Sequence, residues 1–214
     1  MTSGATPEPV PTLRVALTFD VEFGDRPAQP GVTLAILDAL WNSGTHASMF
    51  LQGRWAEAEP RLARRIATDG HVVGNHSHHH ARMTILTGAG IVRDVTAAER
   101  AIEAATGVSP RPWFRCPFGA GAQTARVVTR LAGAGYVDVG WHVDAKDWAG
   151  GRAATLERRV VDAVVAQGDG AVVLMHGWPD ATALAVPGIV RGLGERGATF
   201  VGIDELDALP GRRV

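Results

Sequence analysis

The sequence predicts an α/β fold of parallel strands joined by crossover helices, and three observations carry that prediction. Short runs rich in β-branched residues alternate with longer stretches of helical period, in about seven successive units. No long unstructured insert interrupts them, which favours crossover connections and parallel pairing. Ionisable residues recur at the C-terminal ends of the predicted strands, where folds of this class place their chemistry.

Taken in order, "RVALTF" (14–19) predicts the first strand, and "VTLAILDALWNS" a helix that stops at Gly44. "HASMFL" predicts the second strand and "EPRLARRIATDG" its helix, after which "HVVG" is a short third strand. Ile91, Val95, Ala98 and Ile102 recur at helical spacing, and Gly107 and Pro110 close that segment. "PWFR" predicts a fourth strand and "AQTARVVTRLAGAG" a helix with a glycine stop. "YVDVGW", "AVVLMH" and "ATFVGI" predict three more strands, separated by helices over "TLERRVVDAVVAQG" and "PGIVRGLGERG". A barrel and a doubly wound open sheet both satisfy this pattern. Asp20, His76, Arg115, Asp144, Asp147 and His176 all follow or end predicted strands, and gathering them on one face favours the barrel.

The chain has 214 residues, enough for one domain, expected over 13–214 behind a disordered tail at 1–12. A formal net charge of −1 argues against a nucleic-acid partner and against a polybasic membrane surface. Cys116 is the only cysteine, so no internal disulfide forms. "MTSGATPEPVPT" lacks the basic start and apolar centre of a signal peptide, and no apolar run approaches the ~20 residues of a membrane helix. As given, the chain is expected in the cytoplasm and as a monomer; a trimmed form would belong to the cell envelope or be secreted.

"GNHSHHHARM" (74–83) is the densest chemical signal. On a helix, residues four apart share a face, so His76 pairs with His80; spacing alone also allows His79. Imidazole pairs of this kind bind Zn(II) and similar metals, and need a carboxylate to complete a site. "TFDVEFGD" offers it: Asp20 and Glu22, two apart on an extended chain, face the same way while Val21 faces opposite. Trp178, just after His176, is expected to line the same pocket. "GLGERG" matches a dinucleotide fingerprint, but it ends a helix rather than opening one and is discounted.

"TFDVE", "HSHHH", "FRCPFG", "DAKDW" and "VVLMH", in this order from Thr18 to His176, resemble the five motifs of the polysaccharide deacetylase (NodB-homology) family, the fourth carbohydrate esterase family. The resemblance implies a distorted (β/α)7 barrel and a divalent metal, Zn first with Co, Ni or Mn as alternatives. His76 and His80 would be ligands and Asp20 the base that deprotonates the attacking water. Arg115 would orient Asp20, and Asp147 would tune His176 as the acid that protonates the leaving amine. Phe118 would give a backbone N–H to the oxyanion, and Trp148 and Leu174 would wall the acetyl pocket.

Two positions depart from the family pattern. Val21 stands where the family usually has a second, ligating Asp, and we expect Glu22 to replace it, with Asp25 the weaker candidate. Phe118 replaces a Tyr, which leaves the main-chain donor intact. The implied reaction is removal of N-acetyl groups from an N-acetylglucosamine-containing glycan such as peptidoglycan or chitin. The alternatives are a catalytically silent glycan-binding member and a small-molecule amide hydrolase.

Overall fold

In the computed structural model, which describes residues 13–24 and 30–210, the parallel strands and crossover helices are present. The expected tail at 1–12 and the candidate Asp25 lie outside the described residues. Strand β1 (Leu13–Val21) is buried along almost its whole length because both of its faces are covered. Val15, Leu17, Phe19 and Val21 point outwards into the layer beneath the helices. Ala16 belongs to the cluster inside the curled sheet, and Thr18 and Asp20 continue that face. The alternation is what carries Asp20 inwards while Val21 is spent on packing.

Around β1 the strands are β2 (Ser48–Leu51), β3 (Val72–Asn75), β4 (Trp113–Phe114), β5 (Val137–Asp138), β6 (Val143–Asp144), β7 (Ala171–His176) and β8 (Ala198–Phe200). Their order across the sheet is β5-β4-β3-β2-β1-β7-β6, and β8 pairs with the N-terminal end of β1. Chain geometry forces this sheet to curl. Laid flat, its end strands would stand about 29 Å apart at a strand spacing of about 4.8 Å. Yet β5 and β6 are consecutive in sequence, joined by residues 139–142. That link reaches at most about 19 Å at about 3.8 Å per residue step. The result is a distorted barrel with an unpaired seam between β5 and β6.

The helices pack outside: α1 (Val32–Asn42), α2 (Gly53–Ala58), α3 (Pro60–Thr68), α4 (Gly88–Thr106), α5 (Ala125–Gly133), α6 (Ala153–Gln167) and α7 (Asp180–Gly194). Three differences from the sequence expectation have local causes. "YVDVGW" holds only β5, because the chain leaves the sheet there to cross the seam and pairs again as β6. Helix α2 is too short to show a period. Helix α7 begins at Asp180, and Pro187, which reads as a helix start, lies inside it.

Register then aligns the strand ends. Asp20 on β1 is the partner of His176 on β7, and Phe50 on β2 is the partner of Gly74 on β3. A Cβ at Gly74 would come within 2.6 Å of the Phe50 ring, so glycine is what allows that ring to lie flat against the strand. Phe50 in turn is the surface on which the Arg115 guanidinium rests, 4.1 Å from the ring centroid.

Candidate active site

The C-terminal ends of β1, β3, β4 and β7 deliver Asp20, His76, Arg115 and His176 to one cavity of about 660 Å³. Asp20 and His176 line it directly, with Glu22, Phe118, Trp148 and Trp178 around them. Leu174, one inward position before His176 on β7, also reaches it. Arg115 lies behind this lining, 1% exposed.

The His76–His80 segment is not helical, so the spacing argument on helix geometry gives way to a different device. Ser77 and His80 both adopt left-handed backbone conformations, φ 64° and 56°, which fold the segment into a tight loop. Three side chains hold it there. Asn75 Oδ1 accepts from the Ser77 N–H at 2.8 Å, and Ser77 Oγ accepts from the His80 N–H at 2.9 Å. Asp94, buried on α4, accepts from the backbone N–H groups of His78 and His79 and bonds the His79 ring at 2.7 Å. The loop turns the His76 and His80 rings towards each other, 5.0 Å between centroids, and turns His79 away towards Asp94.

His76 Nδ1 lies 3.0 Å from the Arg115 carbonyl oxygen. A carbonyl only accepts, so the hydrogen sits on Nδ1 and the Nε2 lone pair is left facing the cavity. Glu22 Oε2 is 3.3 Å from His76 Nε2 and 2.5 Å from His80 Nε2, yet it is buried without a hydrogen bond of acceptable geometry. These three atoms lie within 4.8 Å of one another. Burial alone would raise the Glu22 pKa, but the two imidazoles outweigh it and hold the carboxyl far below its usual range. Burial likewise opposes a charge on His76, and Asp20 and Glu22 overcome it and push that pKa up. Lone pairs converge here in a field that favours a positive charge. Two nitrogens and one carboxylate oxygen of this kind fit a divalent cation with positions left open towards the cavity.

Beside this cluster, Asp20 Oδ1 accepts from Arg115 Nη1 at 2.9 Å, and its Oδ2 is 3.5 Å from His76 Nε2. Arg115 also donates to the Val139 and Gly140 carbonyls at 3.0 and 3.2 Å. The guanidinium is thus fixed in a plane, and one Asp20 oxygen is occupied while the other faces the cluster.

At the C-terminal end of β7, Asp147 Oδ1 lies 2.8 Å from His176 Nδ1, and Oδ2 accepts from the His176 N–H at 2.7 Å. Trp148 N–H and Thr182 Oγ1 donate to the same carboxylate at 3.0 and 2.6 Å. Burial alone would depress the His176 pKa. The bond and charge of Asp147 outweigh it, with smaller contributions from Asp20 and Glu22, and push the value up to about 9. An imidazole with a raised pKa and the Asp20 carboxylate thus stand on neighbouring strands, as register partners on β7 and β1, in the cavity that also holds the Glu22, His76 and His80 atoms.

Phe118, φ 59°, is half exposed and packs its ring 4.5 Å from that of His80. Two positioning residues escape sequence reading. Thr182 lies in the first turn of α7, which the sequence hides behind Pro187. Asp94 does leave a signal: it occupies an apolar-spaced position among Ile91, Val95 and Ala98, and a carboxylate on a buried face needs a partner. Asp94→Ala is expected to release the histidine loop, weakening divalent-metal affinity by about 10- to 100-fold in calorimetric titration.

The family model described as polysaccharide deacetylase matches residues 8–137. A peptidoglycan-N-acetylglucosamine deacetylase of Listeria monocytogenes is 32% identical over 194 residues, covering 90% of this chain and 38% of that protein. This chain therefore spans well under half the length of that relative. A chitooligosaccharide deacetylase of Bradyrhizobium is 34% identical over 169 residues, 78% of this chain and 73% of that one. Among solved structures, a family 4 carbohydrate esterase from Streptomyces lividans, in complex with acetate, superposes with a TM-score of 0.78 at 32% identity, covering 89% of this chain and 93% of that one.

Proposed function

This chain belongs to the polysaccharide deacetylase family, and from that premise we propose that it is a metal-dependent hydrolase removing N-acetyl groups from an N-acetylglucosamine-containing glycan. The observation that carries the reading is that one cavity brings together an Arg115-bound carboxylate, an Asp147-bound imidazole and a cluster of metal-binding atoms. Glu22, His76 and His80 would hold the cation, with Zn the best match to two imidazoles and one carboxylate. Once bound, it supplies Lewis acidity, which acidifies water and polarises an acyl oxygen.

The chain's own groups divide the remaining work. Asp20, oriented by Arg115, takes the proton from the attacking water through Oδ2. The backbone N–H of Phe118 donates to the oxyanion as the acyl carbon becomes tetrahedral. His176 Nε2 gives its proton to the departing amine, while Asp147 holds Nδ1 and keeps the ring charged. Leu174, Trp148 and Trp178 present apolar surface to the acetyl methyl and exclude water from it.

The test is metal analysis of the purified protein together with acetate release from N-acetylglucosamine oligomers, with and without chelator. One divalent ion per chain, and acetate release abolished by chelation and restored by Zn(II), is the expected result. Metal-free protein that binds oligomers without releasing acetate would move the assignment to a silent glycan-binding member.

A further inference from the structure

The cavity mouth carries a cation that the reaction does not use. Arg82, exposed, follows the histidine loop and leads into the short 3₁₀ turn Met83–Ile85. It lines the cavity, and its guanidinium carbon sits 4.3 Å from the centroid of the Phe118 ring. Phe118 itself lies against His80, so Arg82 borders the same cavity as the metal-binding atoms. Among the described residues Arg82 meets no carboxylate, and it is the arginine among them that lines this cavity. A guanidinium held over the Phe118 ring keeps its N–H groups available to a planar, two-oxygen acceptor. The other charged groups of the lining are accounted for. Asp144 accepts from the Lys146 N–H, His79 is paired with Asp94, and Asp20, Glu22 and His176 belong to the reacting centre.

We propose that Arg82 and Phe118 form an anion subsite, and that the preferred substrate carries a carboxylate on the sugar being deacetylated or on its neighbour. The proposal rests on the deacetylase reading for its place in the cycle, and extends it from N-acetylated glycans in general to acidic ones. A 3-O-lactyl ether on an amino sugar has this chemistry, since it hangs a carboxylate from the ring carbon next to the one that bears the acetamide. A plain N-acetylglucosamine polymer has none. Phe118 serves here as the platform that orients the cation.

The test compares one glycan in two charge states: a tetrasaccharide alternating N-acetylglucosamine with its 3-O-lactyl derivative, and the same molecule with the carboxylates amidated. Affinity is read by calorimetric titration and turnover by acetate release, in wild type, Arg82→Gln and Arg82→Glu. Wild type is expected to bind the acid form about tenfold more tightly than the amide, as one charge-assisted contact allows. Arg82→Gln should bring that ratio to about one, and Arg82→Glu should invert it. Comparing two ligands within each variant cancels any general damage to the fold. Equal wild-type affinity for acid and amide, or an unchanged ratio in Arg82→Gln, overturns the subsite. A retained acid preference without acetate release upholds the subsite and instead removes the hydrolase assignment.

Discussion

Glu22→Ala protein is expected to lose bound divalent metal to background level and to lose acetate release with it, while Asp25→Ala keeps both. The expectation follows from how Glu22 is buried. Its Oε2 stands in front of two imidazole nitrogens without an in-line hydrogen bond, so the contacts it makes are those of a ligand set rather than of a hydrogen-bonded pair. Val21 cannot compensate: it is 1% exposed and points away from the cavity into the helix-facing layer. Removing one of three ligands should cost more than the 10- to 100-fold typical of losing a supporting contact, so affinity is expected to fall by a factor on the order of 10³. Elemental analysis and competition with a chromogenic chelator read this directly. Metal retained in Glu22→Ala and lost in Asp25→Ala would assign the third ligand to Asp25.

His176→Ala has the opposite signature, keeping its metal while kcat falls by about 10²- to 10⁴-fold, the range of a lost general acid. The pH dependence identifies the role. His176 is charged below its raised pKa of about 9, so an acid's contribution declines as pH rises through that value. A bound divalent cation pulls the falling limb to lower pH, and Asp147→Asn should pull it lower again by removing the largest of the contributions that raise it. The same sign governs stability. Because the folded value lies above the usual 6.5, the Asp147 contact stabilises the fold fully below about pH 6.5 and is lost as pH climbs towards 9. Metal lost from His176→Ala would make the residue a ligand instead of an acid.

Much of this architecture is legible in the sequence because parallel, doubly covered strands must be apolar on both faces. Ionisable residues then stand out where "ALTF" meets Asp20 and "AVVLM" meets His176. Strand alternation carried one residue past the end of β1 separates Glu22 from Val21 without any knowledge of the fold. What stays hidden depends on contacts distant in sequence or on backbone conformations with no short-range signature. The His76–His80 pair reads as helical from its spacing. In the structure it is made by two left-handed residues that Asn75, Ser77 and an aspartate on α4 hold in place. Pro187 conceals the first turn of α7, and with it Thr182. "YVDVGW" conceals the crossing of the seam, because nothing local says that the sheet has run out of neighbours.

Arg115 ties the link that crosses that seam to β1. It donates to Val139 and Gly140 in the link between β5 and β6, and at the same time pairs with Asp20. Its loss would strand two carbonyls and a carboxylate in the interior, whereas losing His176 leaves Asp147 still bonded by Thr182 and by two backbone N–H groups. Under the proposed mechanism, selection on catalysis and selection on folding therefore fall on the same guanidinium. A lineage drifting out of enzymatic use would shed the acid first and keep the arginine long after the chemistry had gone, so its presence in a homologue is a poor witness to activity.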